Sequence, residues 1–122
     1  MFRQIFVNLP IQDMARSQAF FKALGLTFNP RFTNEQGACL EIGENFYAML
    51  LVESFFQGFV TKPISDAHTS TEVILALSVD SRAEVEAVMA KAVAAGATRI
   101  PATKDYGFMV QEWARSETDW VT

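Results

Sequence analysis

The stretch FVNLPIQDMARSQAFFKALGLTF, residues 6–28, decides the fold because its hydrophobic period changes once along its length. Up to Leu9, apolar residues are interrupted by polar ones at even spacing, which is typical of a strand with one polar-tolerant face. Asp13 can cap a helix in which large apolar residues recur near helical spacing, and Gly25 suits the left-handed cap that ends many helices. The stretch therefore predicts a strand followed by a short helix.

The residues after this helix complete the first half of the chain. Extended segments separated by turn residues are predicted at 26–32, 38–42 and 46–52, so the order is β-α-β-β-β. Residues 53–71 contain Gly58, Pro63 and a cluster of Ser, Thr and Asp, which predict an irregular connector with one helical turn at 54–57.

The second half follows the order β-α-β-β, one strand shorter than the first. Residues 72–79 predict a strand, and Ser81 with Glu84 forms a capping-box pattern before a helix that ends at Gly96. Further strands are predicted at 98–100 and 108–113. Aligning the strand–helix junction at residues 7–13 with that at 75–81 places strand on strand. We therefore interpret the chain as an internal duplication of one unit.

Composition agrees with one globular domain and argues against several classes of function. Half of the 122 residues are hydrophobic and 20% are charged. A net charge of -4, without a run of basic residues, argues against nucleic-acid binding. No apolar stretch approaches the roughly 18 residues of a membrane span, and the N-terminus lacks the features of a signal peptide. Cys39 is the single cysteine, so a disulfide framework is excluded and we expect a cytoplasmic protein.

The opening stretch resembles the vicinal oxygen chelate superfamily, which includes glyoxalases, bleomycin resistance proteins and extradiol dioxygenases. Its members often begin with a strand, a D-[LM]-x-x-S-x-x-F-[FY] helix start and an L-G-[LF] helix end. In the second half, EVILALSVDSRAEVEAVMAKAVAAGAT and KDYGFM resemble the second module of the family. The chain is most similar to the glyoxalase-like (lactoylglutathione-lyase-like), uncharacterised branch. The matching residues of the first half are Asp13, Met14, Ser17, Phe20, Phe21, Leu24, Gly25 and Leu26.

The resemblance implies an α+β fold, in which two βαβββ-type modules form a cupped mixed sheet with helices outside. A single domain of residues 1–122 would contain module one at about 2–52, the connector at 53–71 and module two at 72–122. We expect the second module to lack most of its last strand, because only VQEWARSETDWVT follows Met109 in the sequence. A ferredoxin-like dimeric barrel is the alternative fold, but it does not explain the similarity of the two halves.

The resemblance also shows where a metal site would lie. Family members that use a metal carry a His or Glu on the first strand of each module and a Glu near the end of the last strand. Here those positions fall on Phe6, Ile74 and Met49, none of which binds a divalent ion as imidazole or carboxylate does. We therefore expect no metal and no cofactor. His68 is predicted to be a solvated loop residue and Cys39 a small buried hydrophobe.

Strand parity extends these positions to a candidate ligand site. Asn8 shares the face of Phe6, Glu72 that of Ile74, and Tyr47 that of Met49. An apolar, aromatic concave surface with few polar groups is typical of a small-molecule pocket. The predicted ligand-binding residues are Phe6, Asn8, Tyr47, Met49, Glu72, Ile74 and Gln111.

Three functions remain open from the sequence. The first is a metal-free protein that binds a small organic molecule, for instance a drug that it sequesters, and the acidic net charge would favour a cation. The second is a lyase or isomerase of glyoxalase type with a site rebuilt from Asn8, Tyr47, Glu72 and Gln111. The third is a non-catalytic assembly module. Whether the chain is an enzyme therefore stays open.

A homodimer is expected from the incomplete second module. A missing last strand would leave an exposed sheet edge near Trp113, Trp120 and Val121, and modules of this superfamily often pair between subunits. Phe55, Phe56 and Phe59 lie in the connector and must be covered, either within the monomer or at that interface.

Overall fold

The computed structural model describes residues 1–66, 69, 70, 73, 75–105 and 110–115, and the side chains of these residues as far as Thr98. The chain divides into two compact units, Met1–Ile64 and Ser65–Thr122, and the boundary lies inside the predicted connector. The elements are β1 (Ile5–Ile11), α1 (Met14–Ala23), β2 (Thr27–Asn29), β3 (Gly37–Gly43), β4 (Phe46–Val52), α2 (Glu53–Phe56), α3 (Arg82–Ala94), β5 (Thr98–Asp105) and β6 (Val110–Arg115).

A mixed four-stranded sheet forms the first unit, with strand order β1-β4-β3-β2. β1 runs parallel to β4, while β3 pairs antiparallel with both β4 and β2. A parallel pair needs a long crossover, and here α1, β2 and β3 together supply the chain between β1 and β4. The sheet confirms the predicted α+β class and the β-α-β-β-β order of the first module.

Local sequence determines both ends of α1 as predicted. The Asp13 carboxylate accepts a hydrogen bond from the backbone N–H of Arg16 at 3.0 Å, which satisfies a free donor of the first turn. Gly25 has φ = 89°, a left-handed conformation that costs glycine little, and it follows Leu24, the C-cap of the helix. The helix buries Ser17, Phe20 and Phe21 and contacts β3 and β4.

Alternation along the strands separates two faces of the sheet. The face towards α1 carries most of the buried side chains of the sheet. The opposite face, which we call the open face, is buried at one end and exposed at the other: Leu51 is buried, whereas Phe6 and Asn8 are exposed. The core residues of the α1 face are Leu9, Ile11, Ala38, Leu40, Ala48 and Leu50.

The second unit contains α3 and an antiparallel hairpin of β5 and β6. The Ser81 hydroxyl accepts a hydrogen bond from the backbone N–H of Glu84 at 3.1 Å, and Gly96 has φ = 109° after the helix. Both predicted helix ends are therefore confirmed. None of the helices in the described ranges has the length and apolar character needed to cross a bilayer.

The strand predicted over residues 72–79 is not confirmed. Val73 and residues 75–79, its described part, belong to no strand, and Glu72 and Ile74 lie outside the described residues. A strand needs a neighbour for its backbone hydrogen bonds. β1 obtains them from β4, and the counterpart of β4 would follow Arg115, beyond the last residue that the structure describes.

Two other predicted segments differ in the structure. β2 ends at Asn29 because a 3-10 turn over Pro30–Phe32 replaces the predicted extension to residue 32.

The helical segment in the connector is longer than the single turn predicted, since α2 is followed by a 3-10 turn over Gln57–Phe59. The rings of Phe55 and Phe59 contact edge to face, with 5.2 Å between their centroids. Phe59 nevertheless remains 69% exposed, so the prediction that it is buried within the monomer is wrong.

Replacing Ser17 with alanine is expected to stabilise the protein. The Ser17 hydroxyl is buried and has no hydrogen-bond partner among the described residues, so folding removes it from water without compensation. We expect Ser17→Ala to raise the free energy of unfolding by about 1 kcal/mol in urea denaturation. Asp13→Ala, in the same helix, should lower it by about 1 kcal/mol because it removes a satisfied cap. A loss of stability in Ser17→Ala would contradict the unpaired state of the hydroxyl.

Candidate functional site

The register of β1 with β4 brings four of the predicted site residues together on the open face. Phe6 lies opposite Tyr47, and Asn8 lies opposite Met49. Residues that are directly paired in neighbouring strands project their side chains to the same side of a sheet. Strand parity alone had linked Phe6 with Asn8 and Tyr47 with Met49, and the pairing of the two strands joins both sets.

An aromatic stack marks the exposed end of this face. The rings of Phe6 and Tyr47 are 4.9 Å apart between centroids and 13° from parallel. Stacked rings at this distance attract each other beyond the area that they bury. Phe6 nevertheless remains 47% exposed and Tyr47 is half-buried, so π surface of the pair stays accessible.

The Asn8 amide is oriented by its own strand. Its Nδ2 donates to the backbone carbonyl of Phe6 at 3.3 Å, and the side chain is exposed. No described residue donates to Oδ1, so the amide presents an acceptor on the open face beside the thioether of Met49.

Glu41 is a site residue that the sequence analysis missed. It lies on β3 opposite Tyr47, half-buried, and its Oε1 accepts a hydrogen bond from the Thr27 hydroxyl at 3.3 Å. It is the one charged residue in the four strands of this sheet, all of which are described. A carboxylate alone in an apolar sheet is the feature of the sequence that would have identified it.

Cys39 lies two residues before Glu41 on the same face, opposite Met49. It is 2% exposed, which confirms the prediction of a buried hydrophobe. Burial raises the pKa of the Cys39 thiol above its usual value, and the nearby negative charge of Glu41 raises this pKa further. The thiol is therefore neutral at physiological pH, and thiolate chemistry is disfavoured.

The residues of this face do not fit a metal site. Phe6 and Met49 occupy the positions where the family resemblance places ligands, and neither a phenyl ring nor a thioether binds zinc, iron or nickel as His or Glu does. Glu41 supplies one carboxylate. Within the described part of the chain, no three His, Cys, Asp or Glu side chains come close enough to share an ion.

Three predicted site residues cannot be assigned to this face. Glu72 and Ile74 lie outside the described residues, as does His68. Gln111 lies on β6 in the second unit, where the structure describes its backbone only.

Comparison with known proteins gives a family match and several shared folds. Residues 3–43 match the bleomycin resistance protein-like N-terminal family. A hypothetical protein from S. aureus aligns over 99% of this chain and 91% of its own, with a TM-score of 0.81 and 22% identity. No curated protein sequence matches the chain significantly.

Two further solved structures carry functional descriptions. A glyoxalase-related enzyme from Fulvimarina pelagi covers 98% of this chain and 85% of its own, with a TM-score of 0.78 and 18% identity. A glyoxalase/bleomycin resistance protein/dioxygenase family enzyme from Burkholderia phytofirmans PsJN covers 95% and 91%, with a TM-score of 0.76 and 19% identity. At such identities the likeness shows the fold alone. The matched segment and the shared fold agree, and both support the resemblance of this chain to the vicinal oxygen chelate superfamily, the glyoxalase/bleomycin resistance protein/dioxygenase group.

Proposed function

We propose that this protein binds a small organic molecule on the open face, without a metal ion. The observation that carries the proposal is the exposed stack of Phe6 on Tyr47. Large aromatic surface left accessible within an otherwise well-buried sheet is a feature of binding sites, because water covers it poorly. A flat ligand would continue the stack and remove this surface from water.

The neighbouring side chains support the same proposal. Small-molecule sites combine an apolar lining with a few polar groups that orient the ligand. Here Met49 provides a flexible, polarisable apolar contact, and Asn8 offers its Oδ1 as an acceptor. The bleomycin resistance protein-like match in residues 3–43 covers β1 and β3, which carry Phe6, Asn8 and Glu41.

We also propose that the protein forms a homodimer. β1 is an edge strand of the described sheet, and its backbone can pair with a further strand. Several large apolar side chains near this edge and in the connector are exposed, and burying them between copies would be favourable. These residues are Phe2, Ile5 and Phe59.

The ligand site is tested by fluorescence titration with flat three-ring probes in the presence of EDTA. The probes are 9-aminoacridine, a cation, 9-anthracenemethanol, which is neutral, and 9-anthracenecarboxylate, an anion. We expect at least one probe to bind, and Phe6→Ala to weaken its binding by about tenfold because half of the stack is lost. Phe46→Ala is the matched control, since Phe46 is 57% exposed on the opposite face. Failure of all three probes, or equal losses in both variants, would contradict the proposed site.

Asn8→Leu should affect binding more than folding. The Asn8 amide bond to the Phe6 carbonyl is exposed, so its loss should change the free energy of unfolding by no more than about 1 kcal/mol. Affinity for the bound probe should change several-fold, since an acceptor is replaced by an apolar group. Denaturation that shows a loss beyond about 2 kcal/mol would instead make Asn8 a structural residue.

The dimer is tested by light scattering at micromolar concentration. We expect twice the mass of the 13.6 kDa chain, with an interface of at least about 1,000 Å². Replacing the exposed Ile5 and Phe59 with serine should then shift the equilibrium towards monomer. A monomer in the wild-type protein would refute the proposal.

A further inference from the structure

We infer that Glu41 makes the open face selective for organic cations. The inference rests on the proposed function, because it names the class of ligand that the same face would accept. It depends on three observations: the isolation of the Glu41 charge, its place beside the aromatic stack, and the hydrogen-bonding character of the surrounding side chains.

The first observation concerns charge. β1, β2, β3 and β4 contain neither lysine nor arginine nor histidine, and Glu41 is their one acidic residue. Within the described part of the chain, no basic side chain forms an ion pair with the Glu41 carboxylate, whose one hydrogen bond comes from Thr27. A half-buried carboxylate loses hydration, and a cation is the partner that compensates this loss best.

The second observation concerns position. Glu41 is paired with Tyr47 across β3 and β4, and Tyr47 is paired with Phe6 across β4 and β1. Neighbouring strands are about 4.8 Å apart, so the carboxylate lies one strand from Tyr47 and two from Phe6. A flat ligand that continues the stack on the free face of Tyr47 lies on the side of β3, where it can place a charged nitrogen near Glu41.

The third observation concerns the acceptors. The Thr27 hydroxyl donates to Oε1, which holds the carboxylate and leaves Oε2 able to accept. Asn8 presents its Oδ1 on the same face, and the faces of aromatic rings attract cations. An N–H-bearing cation would find acceptors and π surface here, whereas an anion would meet the charge of Glu41 without a basic residue from these strands to offset it.

Binding of the three flat probes, compared between variants, tests the inference. In the wild-type protein, 9-aminoacridine should bind at least about tenfold more tightly than 9-anthracenecarboxylate. Glu41→Gln should weaken binding of the cation by about tenfold and leave the neutral 9-anthracenemethanol within about twofold. Glu44→Gln is the matched control, because it removes the same charge from the exposed turn between β3 and β4 and should change cation binding by less than about twofold.

Salt provides a second measurement that needs no variant. Raising NaCl from about 0.02 M to about 0.5 M should weaken binding of the cation and leave the neutral probe nearly unchanged, since salt screens a charge pair. The measurement uses the wild-type protein, so it can be made even if Glu41→Gln fails to fold.

The possible outcomes separate the inference from the proposed function. Equal affinity for all three probes, lost in Phe6→Ala but unchanged in Glu41→Gln, would overturn the selectivity and leave the binding site standing. Equal losses in Glu41→Gln and Glu44→Gln would trace the preference to net charge and also overturn it. Absence of binding by any probe would overturn the site and the selectivity together.

Discussion

The in-register parallel pairing of β1 with β4 is the interaction on which the rest of the first unit depends. Parallel strands cannot be joined by a tight turn, so the chain between them must form α1, β2 and β3 before it returns. The same pairing sets both faces of the sheet. It places Leu9 beside Leu50 under α1 and Phe6 beside Tyr47 on the opposite side, because successive residues of a strand point to opposite faces.

The open face combines apolar and polar groups in the proportion expected of a ligand site. Most of its buried end is small or apolar, including Cys39, whose neutral thiol behaves as a hydrophobe. At its exposed end the rings, the Asn8 amide and the Glu41 carboxylate converge through strand register. Because Phe6 and Met49 are poor metal ligands, we propose that this face recognises its ligand by stacking and hydrogen bonding and not by coordination.

Features that depend on near neighbours in sequence could be predicted, and features that depend on distant pairing could not. The caps at Asp13, Ser81, Gly25 and Gly96 follow from hydrogen bonds and backbone conformations within a few residues. The strand expected over residues 72–79 needed a partner from elsewhere in the chain. Glu41 stands out in the sequence as the one carboxylate of the four strands, but its place beside Tyr47 depends on the register of β3 with β4.

Side chains alternate between the two faces of the sheet along β1 and β4, so substitutions on the open face can change the proposed ligand preference without changing the core. Neighbouring positions on one strand have different surroundings. Leu9 packs in the core, whereas the adjacent Asn8 is exposed on the open face. Exchange of every second residue can therefore alter recognition while the packing under α1 stays intact. Substitutions among relatives should therefore concentrate at every second position of these strands. Two proteins of this fold can then share a scaffold at low identity and bind chemically unrelated molecules.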